Sequence, residues 1–486
     1  MKKPNLKLNF VEMFKSKRVR YGGFAAFVTL AAIVVLLVIN LIFQQLPAEV
    51  DMTKNRLFSL SEQTLELIHS LQQDVTIYAL YSPGRESPNV IDVLQKYVRA
   101  SNKIRLEYID PDKNPVFLKK YAAEGENLSN GTIIFESGDI FKVIASFDLY
   151  DVTYSQQGEA QVMGFKAEQR FTNALLYVTS GVTPKIYVLG GHSEYTLTQL
   201  GLLQTVEREN FDIEQLNLLT TPEVPEDADI VLIMSPEFDL TEREANALST
   251  YLEDRNGSAL FFFDYNDADL THFNDVLASF GVRIGKGIVM ESDRNLLYSP
   301  DNPLFIAPKL LDHDITKPLM SDNLTVLMPN NLPVETLDIV KRNVDIQPLM
   351  QTSDSSWIRT NLDNSSMLKQ PSDVPGPVNL AVAISKKKSE MSEPEGYRIV
   401  VAGNASFIGS ISYFGNLKPN IDFFLNSLAW LNKRTDSISV RSKSLFEFPL
   451  RMSATMQLVY AGIFVLLIPI GILVAGLVVW LRRRHL

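Results

Sequence analysis

Lys185-Ile-Tyr-Val-Leu-Gly-Gly-His-Ser-Glu194 and Asp229-Ile-Val-Leu-Ile-Met234 are the stretches on which the reading of this chain turns. The apolar runs 186–189 and 229–234 read as short buried strands. Around them the pattern alternates. Residues 200–209 read as a helix, 211–216 as a strand, 241–252 as an amphipathic helix, 259–263 as a strand and 273–280 as a helix. Thr241 followed three residues later by Glu244 has the spacing of a capping box. Asn256-Gly257 supplies the turn before the next strand. Strand–helix–strand with short apolar strands predicts a parallel sheet covered on both faces, a doubly wound α/β unit.

A smaller α/β unit is expected upstream. Residues 74–81 and 104–109 read as strands, with a helix over 90–100 between them. Residues 131–136 and 141–144 read as a hairpin around Ser137-Gly138-Asp139, and 166–178 as a helix. Downstream of about residue 300 the pattern weakens, and 352–377, rich in Ser, Asp, Asn and Pro, reads as a long loop. Lys386-Lys387-Lys388 onward reads as a solvated hairpin tip. Residues 398–402 read as a further strand, ending at Gly403-Asn404-Ala405-Ser406, and 420–432 as the closing helix.

The ends differ from this middle. Residues 1–20 hold seven Lys/Arg against Glu12 alone, and the last six residues hold Arg482, Arg483 and Arg484. The whole-chain charge is −10; without the +6 and +3 of these tips, the middle carries −19. Each basic tip abuts a run with no charge, one from Tyr21 to Phe43 and one from Leu458 to Leu481. Both exceed the ~20 helical residues that a bilayer core requires. Basic flanks favour the cytoplasmic side, so both tips are expected in the cytoplasm of a cell that carries the chain in its plasma or inner membrane. The first run could instead be a cleaved signal peptide, but it is longer than the usual apolar region and no clear cleavage site follows. Pro469 with Gly471 is expected to kink the second helix. The expected organisation is thus 1–20 basic tail, 21–43 span, 44–182 small extracytoplasmic α/β domain, 183–445 larger Rossmann-like α/β domain, 446–457 linker, 458–481 span and 482–486 basic tail. The fold class is α/β: a two-span membrane protein with a large extracytoplasmic region of two α/β units.

Composition narrows the chemistry. An acidic chain argues against a nucleic-acid binder held by phosphate contacts. With no cysteine, thiolate zinc sites, iron–sulfur clusters and cysteine nucleophiles are excluded. There is no P-loop, no G-x-G-x-x-G after a strand, no G-x-S-x-G elbow and no H-E-x-x-H. No cofactor and no metal is expected. The candidate ligand-binding residues are Gly190, Gly191, His192, Ser193 and Glu194, with Gly403 and Asn404. Both groups sit at the carboxyl ends of strands, where open α/β sheets bind ligands. Glycines admit a ligand close to the backbone, and His192 or Ser193 could serve acid–base or nucleophilic chemistry. Alternatively the glycines make a tight turn, and His192 with Glu194 caps the following helix.

The segment Asp51-Met-Thr-Lys-Asn-Arg-Leu-Phe-Ser-Leu-Ser-Glu-Gln-Thr64 resembles the opening signature of GldG-type ABC-transporter accessory proteins. Further matching pieces follow in order. They include Tyr108-Ile-Asp-Pro-Asp-Lys-Asn-Pro115, Gly190-Gly-His-Ser-Glu194, His313-Asp-Ile-Thr316, Arg398-Ile-Val-Val-Ala-Gly403 and 426–432 with Trp430-Leu431. The resemblance implies an ABC-2-type permease and a cytoplasmic ABC ATPase as partners, with the lipid bilayer and an envelope or exported substrate. It also implies a larger exterior unit related to an intraflagellar-transport protein domain and to the flavodoxin/glutamine-amidotransferase-like fold. Glutaminase chemistry is excluded, because its cysteine is missing. The function expected is a non-catalytic accessory subunit. The alternative is a membrane-anchored extracytoplasmic hydrolase or a glycan- or peptide-binding protein.

Overall fold

The computed structural model describes residues 27–38, 59–122, 128–154, 160–266, 268–299, 301–362, 366–386, 396–409, 418–432, 443–444, 460 and 462–484. The chain divides into two compact units, Met1–Ser59 and Leu60–Leu486. In the first, Phe27–Val38 is an apolar helix with exposed side chains. The second holds both of the larger sheets.

Its first sheet has four strands, β1 (Val75–Leu80), β2 (Ile104–Ile109), β3 (Ile133–Ser137) and β4 (Ile140–Ile144), in the order β2-β1-β3-β4. Helix α1 (Glu62–Ser70) precedes the sheet and is capped by the Ser61 hydroxyl, which accepts from the Thr64 N–H. Strands β1 and β2 are parallel because α2 (Pro88–Ala100) carries the chain back between them. Strands β3 and β4 form the expected hairpin. Helix α3 (Ala167–Ser180) brings Phe171 against Phe135 and Tyr97 to close the core.

The second sheet has eight strands. In chain order the labelled ones are β5 (Lys185–Leu189), β6 (Asp212–Leu216), β7 (Ile230–Met234), β8 (Ser258–Phe262), β9 (Val344–Gln351), β10 (Asn379–Lys386) and β11 (Arg398–Ala402). Their spatial order is β9-β10-β11-β8-β7-β5-β6, with Lys309–Leu310 outside β9. The five strands from β11 to β6 are parallel; β9 and β10 run antiparallel to their neighbours. Every residue of β7 and β8 is buried, because side chains alternate into two cores. Ile230, Leu232, Leu260 and Phe262 face one core, and Val231, Ile233, Ala259 and Phe261 the other. A short α4 (Leu203–Glu207) lies between β5 and β6. Helix α5 (Glu242–Glu253) and helix α6 (Thr271–Ala278) cover the second core. After a one-turn α7 (Lys317–Ser321), α8 (Lys418–Leu431) covers the first core with Phe423, Phe424 and Leu428.

Three sequence expectations change. The helix over 200–209 is only the short α4, because Gly201 adopts a left-handed φ of 72° that ends the preceding turn. The long loop over 352–377 contains strands Trp357–Arg359 and Val374–Pro375; the first pairs with both Ile288–Met290 and the second. These strands are stabilised by partners distant in sequence, which local composition does not reveal. Finally, among the described residues one helix, Gly462–Arg482, is long and apolar enough to cross a membrane, and Phe27–Val38 is shorter. Of the expected spans, 21–26, 39–43, 458–459 and 461 lie outside the described residues. Residues Gly462–Leu467 are π-helical and end two residues before Pro469. Proline has no N–H to donate and its ring crowds the carbonyl four residues earlier, so a wider turn at this point takes up the misfit.

Candidate functional site

The loop after β5 is built from Gly190, Gly191, His192, Ser193 and Glu194. The Gly190 N–H continues the pairing by donating to the Leu216 carbonyl at 2.8 Å. Gly191 then turns the chain at a φ of 122°, and Ser193 at 62°. These two positive φ values reverse the backbone within four residues, so the His192 side chain points inward while Gly191 and Ser193 face solvent. His192 is 4% exposed. Its Nδ1 lies 3.0 Å from Glu194 Oε1, and its Nε2 lies 3.4 Å from the Glu244 carboxylate. The side chains of Glu194 and Glu244 are 1% and 0% exposed.

The second carboxylate comes from α5. Thr241 and Glu244 form the capping box the spacing predicts: the Glu244 N–H donates to the Thr241 hydroxyl, and Glu244 Oε2 accepts from the Thr241 N–H at 2.8 Å. The same carboxylate thus caps its own helix and faces His192. The alternative of His192 and Glu194 capping the following helix is therefore corrected, because the helix N-terminus that meets this loop is that of α5 rather than α4. The His192 carbonyl accepts from the Glu237 N–H at 2.8 Å, and the ring sits edge-on to Phe273.

The electrostatics follow from this enclosure. The hydrogen bond that the His192 ring donates to Glu194 raises its pKa above the ordinary 6.5, against the opposing effect of burial, and Glu244 adds to the rise. For Glu244, burial alone would raise the pKa. The Thr241 hydrogen bonds and the His192 charge outweigh it and hold the carboxyl below its ordinary 4.5. His192, its pKa raised, lies between two buried carboxylates and joins the β5 loop to α5. The Ser193 hydroxyl makes no hydrogen bond to His192, so the loop does not assemble a serine–histidine nucleophile.

Gly403 and Asn404 follow β11 at the same sheet edge. A Cβ on Gly403 would lie 1.9 Å from the Leu332 carbonyl oxygen, and the Leu332 N–H donates to the Gly403 carbonyl at 2.8 Å. Here glycine is required by close backbone approach. Asn404 is buried; its amide donates to the Pro329 carbonyl at 2.7 Å and its oxygen accepts from the Phe407 N–H at 2.6 Å. The carboxyl edge at Gly403-Asn404 is thus occupied by the chain's own 329–332 segment. Asp264, which sequence reading did not single out, follows β8 at this edge and accepts from the Ala405 N–H at 2.9 Å.

A cavity of about 420 Å³ opens at the opposite, amino edge of the parallel strands, lined in part by Asp312, His313, Asp314, Lys317, Arg398 and Trp430. These residues come from three separate stretches of sequence, and nothing local announces that they meet.

The family described as an ABC-type uncharacterized transport system matches residues 183–427, half of the chain. The chain belongs to this family. The Domain of unknown function (DUF7088) matches residues 54–139. A search of curated proteins finds no match. Among solved structures, the chain is similar to one described as the mmIFT52 N-terminal domain, at 15% identity and a TM-score of 0.36, covering 51% of this chain and 97% of that one. It is also similar to a thua-like protein from Bacteroides uniformis, at 14% identity and a TM-score of 0.29, covering 51% and 90%. Neither likeness, at these TM-scores, establishes a shared fold. Membership of the family makes this chain an auxiliary component of an ABC-type transport system, and the Gly462–Arg482 helix associates it with a membrane.

Proposed function

We propose that this chain is a membrane-anchored, non-catalytic accessory subunit of an ABC-2-type transporter, of the GldG type. Two helices, 21–43 and 458–481, hold it in the bilayer with both basic tips in the cytoplasm. The α/β body between them stands outside the cytoplasm as two domains, 44–182 and 183–445, the second a doubly wound, flavodoxin-like sheet. A multi-span permease and a cytoplasmic ATPase are its partners, and the ATPase supplies the energy that a chain without a P-loop does not draw from ATP in that way. The observation that carries this reading is the family match across the larger domain. At the carboxyl edge, the solvent-facing side of the 190–194 loop engages substrate or an envelope component. Exposed Phe238 and Leu219 support that choice, since both lie next to this loop.

The test is affinity capture of the tagged full-length chain from mildly solubilised native membranes, read by mass spectrometry. Recovery of one ABC ATPase and one multi-span permease in fixed proportion is expected. Recovery of the chain alone in several mild detergents would overturn the reading.

A further inference from the structure

The cleft at the amino edge of the parallel strands has features that the accessory role does not use. Its floor is fixed. Arg398, the first residue of β11, lies 5.1 Å from the Trp430 ring and donates to the Trp430 carbonyl at 2.6 Å. His313 packs edge-on to the same indole at 5.1 Å. The His313 Nδ1 accepts from the Ile315 N–H at 3.1 Å, which places the proton of the neutral ring on Nε2. Burial lowers the His313 pKa below 6.5, so the ring is neutral at pH 7.

The wall is fixed as well. Ile315 and Thr316 are buried, and the Asn426 amide donates to the Ile315 carbonyl at 2.9 Å. With these two residues anchored below, their neighbours Asp312, Asp314 and Lys317 stand at the cleft. None of these three side chains makes a hydrogen bond or ion pair among the described residues. Two carboxylates and an ammonium therefore share one cavity without neutralising one another, beside two further cations of its lining, Arg398 and Lys386, which donate to the Trp430 carbonyl and to the Asn256 side chain. A ligand with one sign of charge would satisfy only part of this wall, whereas a ligand with both signs satisfies all of it. The volume is that of a small-molecule site, not a macromolecular groove.

We propose that this cleft binds a small zwitterion bearing an ammonium and a carboxylate, the chemistry of an amino acid or short peptide. Asp312 and Asp314 take the ammonium, and Lys317 with Arg398 takes the carboxylate. The His313 Nε2–H is a further donor toward the ligand. Binding here is independent of the transporter reading, because it is measured on this chain alone.

The experiment is calorimetric titration of the full-length chain in detergent with dialanine, N-acetyl-dialanine and dialanine amide. Dialanine is expected to bind, with each singly charged form weaker by about tenfold or more, the loss of one charge-assisted contact. Asp314→Asn should weaken dialanine but leave the N-acetyl form unchanged, and Lys317→Gln should weaken dialanine but leave the amide unchanged. Both residues are exposed, so neither change threatens the fold. Equal binding of dialanine and its N-acetyl form would reveal an anion site, and equal binding of the amide a cation site; either overturns the proposal. So does the absence of binding by all three up to about 10 mM, or binding that neither substitution alters.

Discussion

Replacing His192 by alanine removes the group that two carboxylates share in a place water does not reach. Glu194 and Glu244 have side chains only 1% and 0% exposed. Breaking a buried pair by removing one partner costs about 3–5 kcal/mol, because the remaining charge is stranded. Here each carboxylate keeps another partner. Glu194 still accepts from the residue-192 N–H at 2.7 Å, and Glu244 from the Thr241 N–H at 2.8 Å and hydroxyl at 2.7 Å. The contact to Glu244 is long at 3.4 Å, so most of the loss comes from the 3.0 Å contact to Glu194. The expected loss is therefore about 3 kcal/mol, at the low end of the range. If stranded charge is the cause, neutralising Glu194 should offset it. The double variant His192→Ala/Glu194→Gln should recover more than about 1 kcal/mol relative to His192→Ala alone. Urea unfolding of the full-length chain in detergent, followed by tryptophan fluorescence, measures this, since Trp357 and Trp430 are buried in the folded body. A loss below about 1 kcal/mol for His192→Ala, or a second substitution that adds to the loss, would refute the reasoning.

The same cluster predicts a pH profile. A His192 pKa raised on folding contributes stability that is complete below its unfolded value of about 6.5 and is lost as pH rises through the folded value. A lowered Glu244 pKa contributes stability that is present above about 4.5 and is lost as pH falls through the folded value. Urea midpoints should therefore fall on both sides of this window, and His192→Gln should remove the alkaline fall selectively. Gly403→Ala should lower stability by about 1–3 kcal/mol or more, because the added carbon meets main chain at Leu332 rather than a side chain that can swing away; faster amide exchange at Leu332 is the local readout. Arg359, 1% exposed and paired in a fork with Asp373 at 2.8 and 2.9 Å, holds the segment with the two unforeseen strands. Arg359→Ala should cost about 3–5 kcal/mol in the same unfolding assay.

The sequence by itself determined most of what depends on near neighbours. The four strands of the first sheet and the five parallel strands of the second, the hairpin at Gly138, the α5 capping box and the apolar run that becomes Gly462–Arg482 follow from short-range periodicity, caps and turns, whereas the antiparallel β9 and β10 were not legible there. Such signals lie within one turn of a helix or one strand, so reading along the chain finds them. Only the tertiary structure decided what these elements bring together. Glu244 was legible as a cap, but nothing within ten residues of it says that its carboxylate also faces a histidine 52 positions away. Gly403 was legible as a turn, but its need for glycine comes from Leu332, a segment with no strand pattern of its own. The cleft residues at 312–317, 398 and 430 meet because β10 and β11 pair antiparallel and α8 packs back across the sheet. Pairing across long loops is set by global packing, and the free energy that selects it is spread over both cores, so no local window of sequence contains it.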